Sequence, residues 1–362
     1  MNRKKIICLF NTAHDSHCKR RIADFLEAGY SVEVYCHTRN GDAGSKDADY
    51  PLHFLANLTS ERYSERLQIY RREIGEILRQ NRSANCIYYL YGLDLALVFR
   101  LMAPLKPYIY EEADLMHLEA GMAGHTWLSR ILECLDKHLI RASRLTIMTS
   151  EGFLRYHFAG KRPKNICLAL NKADRRLKDI TIKKRQTDIQ HLDIAFIGLM
   201  RYDTIYRFAK VIGERFEQHK FHFYGPMTPP FEPLQQYKNI LFHGSYTNPD
   251  DLPAIYGATD IAIATYDASQ ANVRYAEPNK LYEAICMQTP LVVSKNTFLA
   301  ERVREMGIGF EVDASDENQI AAFVGALTTE QLNICRKKLE AIPRSEALAD
   351  NSILIQRLQA LK

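Results

Sequence analysis

The sequence lacks any long apolar run, and its cysteines show no metal-binding or redox spacing. No stretch approaches the ~20 apolar residues that a helix needs to cross a bilayer. The opening M-N-R-K-K-I-I-C-L-F is too short for a signal peptide, because residues 11–21 are strongly polar, and it predicts a first strand. The eight cysteines form no C-x-x-C pair and no Cys/His cluster at zinc spacing. Reduced thiols in a cytoplasmic protein are the expected state.

A G-x-G-x-x-G motif is also missing, so the usual signal of a nicotinamide site is absent. With 46% hydrophobic and 25% charged residues, the composition is that of a globular protein. The net charge of +5 fits anionic ligands or an acidic membrane surface and gives no reason to expect nucleic acid. A chain of 362 residues is long for one core and predicts two domains.

Alternating strand and helix patterns predict two α/β units. Strands are predicted at 6–10, 31–36, 86–90, 107–110, 145–149, 192–197, 221–224, 240–242, 260–265, 291–293 and 308–312. The polar, basic stretch 171–190 breaks the pattern and marks the boundary. We therefore place an N-terminal domain at residues 1–175, joined by a closing helix at 346–362, and a C-terminal domain at 190–340.

The stretch 276–294, A-E-P-N-K-L-Y-E-A-I-C-M-Q-T-P-L-V-V-S, predicts a loop, a helix and a buried strand. Pro278 and Asn279 mark the helix start, with Asn279 as its cap. Lys280 and Glu283 then share a face near the helix N-terminus, which suits a phosphate. A cation for diphosphate and a carboxylate for sugar hydroxyls predict a nucleotide-sugar site. The alternative for Lys280 is a surface lysine, although the helix dipole disfavours one there.

A second polar cluster follows the strand predicted at 107–110. Its members are Glu111, Glu112, Asp114 and His117. Ligands of open α/β sheets bind beyond the carboxyl ends of the strands, so this loop is a candidate for substrate contact. The alternative is a capped, solvated turn. We take Glu112, Asp114 and His117 as candidate catalytic residues, with Asp15 and His17 as further candidates.

Two other features have plainer interpretations. The D-x-D match at 47–49, which in another context indicates a metal-dependent glycosyltransferase, lacks a following strand and helix and is attributed to chance. The helix predicted at 126–141 has an apolar stripe that predicts core packing, at Leu128, Ile131, Leu132, Leu135 and Leu139. Its basic residues face either anionic lipid or plain solvent, and they are Arg130, Lys137, His138, Arg141 and Arg144.

Several blocks of the second half resemble the C-terminal domain of GT-B-fold glycosyltransferases of family 4, the glycosyl transferases group 1. They are I-A-F-I-G-L-M-R-Y at 194–202, F-H-F-Y-G-P at 221–226, I-L-F-H-G-S-Y at 240–246, L-P-A-I-Y-G-A-T-D-I-A-I-A at 252–264, and E-P-N-K-L-Y-E-A with Q-T-P-L-V-V-S at 277–294. In the first half, N-T-A-H-D-S-H-C-K-R-R at 11–21 and Y-E-E-A-D-L at 110–115 resemble the family's first strand–loop–helix and its acidic loop. The resemblance thus covers nearly the whole chain.

This resemblance implies two Rossmann-like domains facing across a cleft, with the C-terminal helix crossing back to the first domain. It implies that Glu283 binds the ribose, that Lys280 and Arg201 hold the diphosphate, and that the turn at 243–246 lies near the base. The implied donor-binding set is Gly198, Arg201, Gly244, Ser245, Tyr246, Glu277, Asn279, Lys280, Leu281 and Glu283. For Arg201, a plain loop cation is the alternative.

The sequence also departs from the family pattern. Family members often carry two glutamates eight residues apart, but Tyr275 stands eight residues before Glu283 and Glu277 six before. Glu277 is therefore a candidate for the donor-sugar role. Ala113 stands where the family often has histidine, and His117 or Glu112 is the candidate replacement.

The implied activity is metal-independent transfer of a sugar from a nucleotide-diphosphate donor to a glycan or lipid-linked acceptor, with no cofactor besides the donor. The setting is bacterial surface polysaccharide biosynthesis in the cytoplasm, with peripheral contact to the anionic inner face of the membrane as an option. Two alternatives stay open: a nucleotide-sugar epimerase of the same fold and a non-catalytic nucleotide-sugar-binding partner subunit. Inverting and retaining transfer are both open.

Overall fold

The computed structural model describes residues 4–11, 16–38, 48–58, 63–82, 85–118, 124–182, 184 and 186–361. The chain forms two compact units. The first comprises Met1–Leu170 and Asn351–Lys362, and the second is the continuous segment Asn171–Asp350. Each contains one parallel β-sheet with helices between its strands, so the predicted α/β class is confirmed.

Seven parallel strands form the sheet of the first unit, in the order β3-β2-β1-β4-β5-β6-β7. They are β1 (Lys5–Phe10), β2 (Ser31–Thr38), β3 (Leu52–Asn57), β4 (Cys86–Tyr91), β5 (Tyr108–Glu112), β6 (Leu145–Met148) and β7 (Ile166–Leu168). The helices of this part of the chain are α1 (Ser16–Glu27), α2 (Tyr63–Gln80), α3 (Leu93–Met102), α4 (Thr126–Ala142) and α5 (Glu151–Phe158). The strand order reverses between β1 and β4, which gives this sheet its topological switch point.

The sequence patterns do not predict the two edge strands, β3 and β7. Half-buried β3 reads L-H-F-L-A-N, and β7 is only three residues long. Neither offers the continuous apolar run that identifies a buried interior strand, such as β1 or β4. Strand β2 continues through Thr38, two residues beyond the strand predicted at 31–36.

Six parallel strands form the sheet of the second unit, in the order β10-β9-β8-β11-β12-β13. They are β8 (Asp193–Ile197), β9 (Lys220–Tyr224), β10 (Ile240–Phe242), β11 (Ile261–Ala264), β12 (Leu291–Ser294) and β13 (Gly309–Val312). The helices are α6 (Asp203–Arg215), α7 (Leu252–Gly257), α8 (Ala271–Tyr275), α9 (Asn279–Cys286), α10 (Phe298–Met306), α11 (Glu317–Gly325), α12 (Thr329–Ala341) and α13 (Arg344–Ala347), with 3-10 turns at Arg175–Leu177 and Pro229–Gln236. The switch point lies between β8 and β11, and α8 lies in the connection between β11 and α9.

The helix predicted at 346–361 is wrong as one continuous element. Helix α13 ends at Ala347, and α14 (Ser352–Gln359) begins five residues later. Between them, Leu348 forms a β-bridge with Ala173, and the Ala349 N–H donates to the Ala173 carbonyl at 2.8 Å. This backbone pairing requires an extended conformation, so the helix stops. Helix α14 belongs to the first unit and contacts α1 there.

Part of the apolar stripe predicted on α4 does not face the core. Leu139 is buried, but Ile131 is 49% exposed and Leu135 is 41% exposed. Trp127, on the same face, is 65% exposed. Apolar periodicity shows that a helix has two faces but not which face is covered, so the prediction of core packing is wrong for Ile131 and Leu135.

Within the described ranges, every helix is too short or too polar to cross a membrane.

Candidate functional site

Three glycines follow three neighbouring strands at the carboxyl edge of the second sheet, beside the switch point. Gly198 follows β8, Gly225 follows β9 and Gly244 comes just after β10. The Gly198 N–H donates to the Tyr224 carbonyl at 2.8 Å, and the Gly225 N–H donates to the Gly244 carbonyl at 2.7 Å. A Cβ on Gly225, where φ is 139°, would lie 2.1 Å from the Gly198 oxygen. Only glycine fits there, so main-chain atoms rather than side chains line the turns at Gly198, Gly225 and Gly244. We call these three turns the glycine edge.

Helix α9 begins after the loop that leaves β11. Pro278, in an extended conformation, holds the cap position, and Asn279 is the first helical residue. No side chain caps this helix, so the predicted capping role of Asn279 is wrong. Leu281 is fully buried, and its N–H donates to the Pro278 carbonyl at 3.1 Å. The N–H groups of a first turn have no partner within the helix and suit an anion.

Lys280 and Glu283 form a buried ion pair in the first turn of α9. The Lys280 ammonium donates to Glu283 Oε2 at 2.5 Å, and the two residues are 8% and 2% exposed. Burial alone would lower the pKa of Lys280, but the Glu283 carboxylate raises it above its ordinary value. The lysine is therefore a permanent cation, and its ammonium has two further N–H donors.

The loops after β10 and β11 approach the same ammonium. Tyr246 follows β10, Tyr266 follows β11, and both contribute to raising the pKa of Lys280. Tyr246 is half-buried, whereas Ser245 beside it is exposed. Polar groups from two loops and one helix start thus converge at the carboxyl edge of the sheet.

Two residues that sequence reasoning missed hold Glu283 in place. Asn248 Nδ2 donates to Glu283 Oε1 at 3.2 Å, and the buried Tyr256 hydroxyl donates to Glu283 Oε2 at 3.1 Å. Burial and then the Glu283 charge raise the pKa of Tyr256 well above its ordinary value, so the tyrosine stays a donor. No local pattern links these positions to α9, although Tyr256 itself lies within the quoted 252–264 block.

The remaining predicted donor contacts lie in different surroundings. Glu277 is buried; it accepts from the Tyr282 hydroxyl at 2.9 Å and lies 3.4 Å from Arg302 Nε. Arg201 is exposed after the Gly198 turn, and its guanidinium stacks 4.7 Å from the centre of the Tyr202 ring. Of these two, only Arg201 presents its charge to solvent.

In the first unit, the structure corrects the position of two predicted loop carboxylates. Glu111 and Glu112 are the last residues of β5 and are completely buried, so they do not belong to a solvated loop. Glu111 accepts from Arg21 Nε at 2.6 Å and Nη2 at 3.0 Å, and His17 Nε2 lies 2.8 Å from Oε1. Burial alone would raise the pKa of Glu111, but Arg21 and then His17 hold it well below its usual range. Paired charges make a buried strand position possible for this glutamate.

Glu112 points into a different cluster. His157 Nε2 lies 2.6 Å from Glu112 Oε1, and His117 Nδ1 lies 3.2 Å from Asp136 Oδ2. All four residues are buried, three of them completely. Burial and then Asp136 raise the pKa of Glu112 well above its ordinary value, and burial lowers the pKa of His157 to about 4. The structure therefore brings the predicted Glu112 and His117 together, while Asp114 is exposed outside this cluster.

Two further sequence candidates, Asp15 and the Asp47 of the D-x-D match, lie outside the described residues.

One protein-family model matches part of this chain. Residues 191–330 match the family model described as Glycosyl transferases group 1. The succinoglycan biosynthesis protein ExoL of Rhizobium meliloti (strain 1021) is 23% identical over 239 residues, which are 61% of this chain and 58% of that protein. The match thus spans little more than half the length of this relative.

Solved structures resemble the chain over nearly its whole length. The sucrose-phosphate synthase of Thermosynechococcus elongatus has a TM-score of 0.70 at 12% identity, covering 99% of this chain and 98% of that one. Anabaena Alr3699/HepE, in complex with UDP-glucose, has a TM-score of 0.66 at 13% identity, covering 99% and 98%. The lipopolysaccharide outer core galactosyltransferase WaaB has a TM-score of 0.62 at 13% identity, covering 97% and 99%. At these identities the likeness concerns the fold, and the predicted GT-B fold with two Rossmann-like units is confirmed.

Proposed function

We propose that the chain transfers a sugar from a nucleoside diphosphate donor to a glycan or lipid-linked acceptor, as a glycosyltransferase of the group 1 family, whose model matches residues 191–330. The observation that carries this proposal is the buried Lys280–Glu283 pair in the first turn of α9. A nucleotide sugar offers ribose hydroxyls to the carboxylate and a diphosphate to the ammonium and the helix N–H groups. The glycine edge leaves room for such a ligand beside the switch point, where open α/β sheets bind nucleotides.

The same groups provide the chemistry of transfer. Negative charge builds up on the diphosphate as the sugar leaves, and fixed cations and helix N–H groups stabilise that charge. Lys280 supplies the fixed cation, since Glu283 occupies only one of its three N–H donors. Arg201 supplies a second cation from the turn after β8. We therefore propose a metal-independent transfer in which Glu277, held by Tyr282 and Arg302, supports the loop before α9.

On the acceptor side we propose Asp114 as the carboxylate that contacts the acceptor hydroxyl. It is exposed just beyond the carboxyl end of β5. Glu112 and His117 are completely buried, so we assign them to holding this loop instead of touching the acceptor.

The relationship to ExoL, whose name places that protein in succinoglycan biosynthesis, supports a role in surface polysaccharide biosynthesis. We propose that the reaction takes place in the cytoplasm. In support, all eight cysteines have free thiols, which suits a reducing compartment.

A panel of nucleoside diphosphates tests the donor proposal. In calorimetry, we expect one of UDP, GDP, dTDP and CDP to bind the purified chain with a micromolar Kd, about −8 kcal/mol. The corresponding nucleotide sugars should then release nucleoside diphosphate when bacterial glycan or lipid-linked acceptors are added.

The other outcomes of this panel are informative. Binding without turnover for any sugar or acceptor indicates a non-catalytic partner subunit. Conversion of the donor sugar without acceptor indicates a nucleotide-sugar epimerase of the same fold. Failure to bind any nucleotide contradicts the donor proposal itself.

We further propose that the outward face of α4 rests on an anionic membrane. Trp127, Ile131 and Leu135 are exposed on this face, together with the cations Arg130 and Arg141. Exposed apolar side chains flanked by arginines match the acyl boundary and headgroups of an anionic bilayer. We expect the chain to sediment with phosphatidylglycerol vesicles and not with phosphatidylcholine vesicles.

The variant Ile131→Ser/Leu135→Ser should reduce this partitioning about ten-fold. It removes apolar area that the membrane would cover, and it leaves the protein core undisturbed because both side chains are exposed. Ile334→Ser is the matched control, because Ile334 is 51% exposed in the second unit. Equal sedimentation of the double variant and the control would contradict the assignment to α4.

A further inference from the structure

Two carboxylates and two histidines meet inside the first unit, and among the described residues no lysine or arginine forms an ion pair with either carboxylate. Glu112 ends β5, Asp136 lies on α4, His157 lies on α5 and His117 follows β5. The ion pairs of Glu112 and Asp136 within the described chain are with histidine only. Two buried carboxylates without a permanent cation are strongly unfavourable, so either protons or a metal ion must neutralise them.

The distances between the potential ligand atoms fit a small metal ion. One atom each of Glu112, Asp136 and His157 lies within 4.8 Å of the others. His157 Nε2 is 2.6 Å from Glu112 Oε1 and 3.9 Å from Asp136 Oδ2. Ligands of tetrahedral zinc at about 2.0–2.2 Å are separated by roughly 3.3–3.5 Å, so the hydrogen-bonded Glu112–His157 contact must widen by roughly 0.8 Å when a metal ion replaces the proton between them.

A second observation also points to a ligand. Glu112 Oε2 is buried and makes no hydrogen bond to any residue that the structure describes. Buried carboxylate oxygens are normally bonded, so this atom is available for coordination. Such an oxygen is a common ligand in mixed histidine and carboxylate sites.

The surroundings of Asp136 resemble the outer shell of a metal site. Its Oδ1 accepts from the Tyr110 hydroxyl at 2.9 Å, and its Oδ2 lies 3.2 Å from His117 Nδ1. The other nitrogen of His117 lies 3.3 Å from the Tyr156 hydroxyl. Such bonds orient a ligand and are typical of groups just behind metal ligands.

We propose that Glu112, Asp136 and His157 bind one divalent transition-metal ion of the zinc class, which ties β5 to α4 and α5. One imidazole and two carboxylates suit zinc, whereas magnesium and calcium prefer six or more oxygen ligands. The role is structural, so the proposal is independent of glycosyl transfer. No sequence motif indicates this site, because the three ligands come from three separate elements.

Metal content and chelator sensitivity of the intact chain test this site. After incubation with zinc and removal of excess metal by gel filtration, mass spectrometry should find about one zinc ion per chain. EDTA should then lower the Tm of the wild-type chain. The His157→Gln and Glu112→Gln variants should retain at least about ten-fold less zinc, and EDTA should leave their Tm unchanged. Cobalt should give the wild type the visible absorption of a four-coordinate site.

The matched controls are His138→Gln on α4 and Glu76→Gln on α2, which change an exposed histidine and an exposed carboxylate away from the cluster and should keep the zinc. If the ligand variants fail to fold, the wild-type measurements decide alone. A wild-type chain without stoichiometric zinc and with a Tm insensitive to EDTA overturns the proposal, and protons then neutralise the two carboxylates.

Discussion

Replacing Glu283 by glutamine is expected to lower kcat/KM for the nucleotide-sugar donor about 100-fold, a loss of roughly 2.7 kcal/mol of transition-state stabilisation. Glutamine keeps one acceptor oxygen, which can serve Asn248 or Tyr256 but not both, and removes the charge that orients the Lys280 ammonium. It also removes the carboxylate that we assign to the ribose hydroxyls. Nucleoside diphosphate binding should weaken together with turnover, which calorimetry and initial rates measure on the same preparation.

Measuring the free energy of unfolding distinguishes a loss of donor binding in Glu283→Gln from misfolding of the variant. The single variant leaves the buried Lys280 ammonium without its carboxylate, which costs about 3–5 kcal/mol for a buried pair. The double variant Lys280→Met/Glu283→Gln removes both charges and should recover most of that stability while staying inactive. Glu330→Gln, an exposed position in the second unit, is the control. If the double variant regains activity along with stability, Lys280 and Glu283 hold the fold and do not bind the donor.

Replacing Arg21 by methionine is expected to destabilise the first unit by about 3–5 kcal/mol at neutral pH. Arg21 is 3% exposed and bonds both Glu111 and Asp24, so methionine leaves Glu111 buried without its main cation. Urea unfolding followed by circular dichroism measures the loss. Lys19→Met, at an exposed position of α1, should change stability little.

The effect of Arg21→Met should depend on pH. The pKa of Glu111 is depressed in the folded chain, so the glutamate contributes stability that is present above its unfolded pKa of about 4.3 and is lost as the pH falls. In the variant, Glu111 loses most of this depression. The gap in unfolding free energy between wild type and variant should therefore stay nearly constant from pH 7 to about pH 5 and narrow below about pH 4.3, as the pH approaches the depressed pKa of Glu111. A gap that stays constant in that lower range as well would contradict the role of the Arg21–Glu111 pair.

The interior strands and the helix start that carries Lys280 and Glu283 could be predicted because both depend on local pattern. Buried parallel strands such as β1 and β12 are continuous apolar runs. The Lys280–Glu283 pair depends only on helical spacing. The ends of elements are harder to predict. Glu111 and Glu112 can lie buried in β5 because Arg21 and His157 contact them there. These partners are far away in the sequence.

What the sequence could not supply is the set of partners that approach from other elements. Asn248 and Tyr256 reach Glu283 across the second unit, and Asp136 and His157 reach Glu112 across the first. For the same reason, helical spacing found the apolar stripe of α4 but not the solvent exposure of Ile131 and Leu135. Each of these facts depends on tertiary packing, which no window of neighbouring residues contains.

The return of α14 to the first unit affects the order in which the chain folds during translation. Asp24, Tyr30 and Lys4 are synthesised early, yet their partners Asn351, Leu358 and Leu361 leave the ribosome only after the whole second unit. The second unit is one continuous segment and can fold as it emerges from the ribosome. The first unit stays incomplete until α14 is synthesised, and until then the side of α1 that α14 covers is exposed. A nascent chain that stalls between the two events exposes the apolar surface of α1 and becomes a substrate for chaperones.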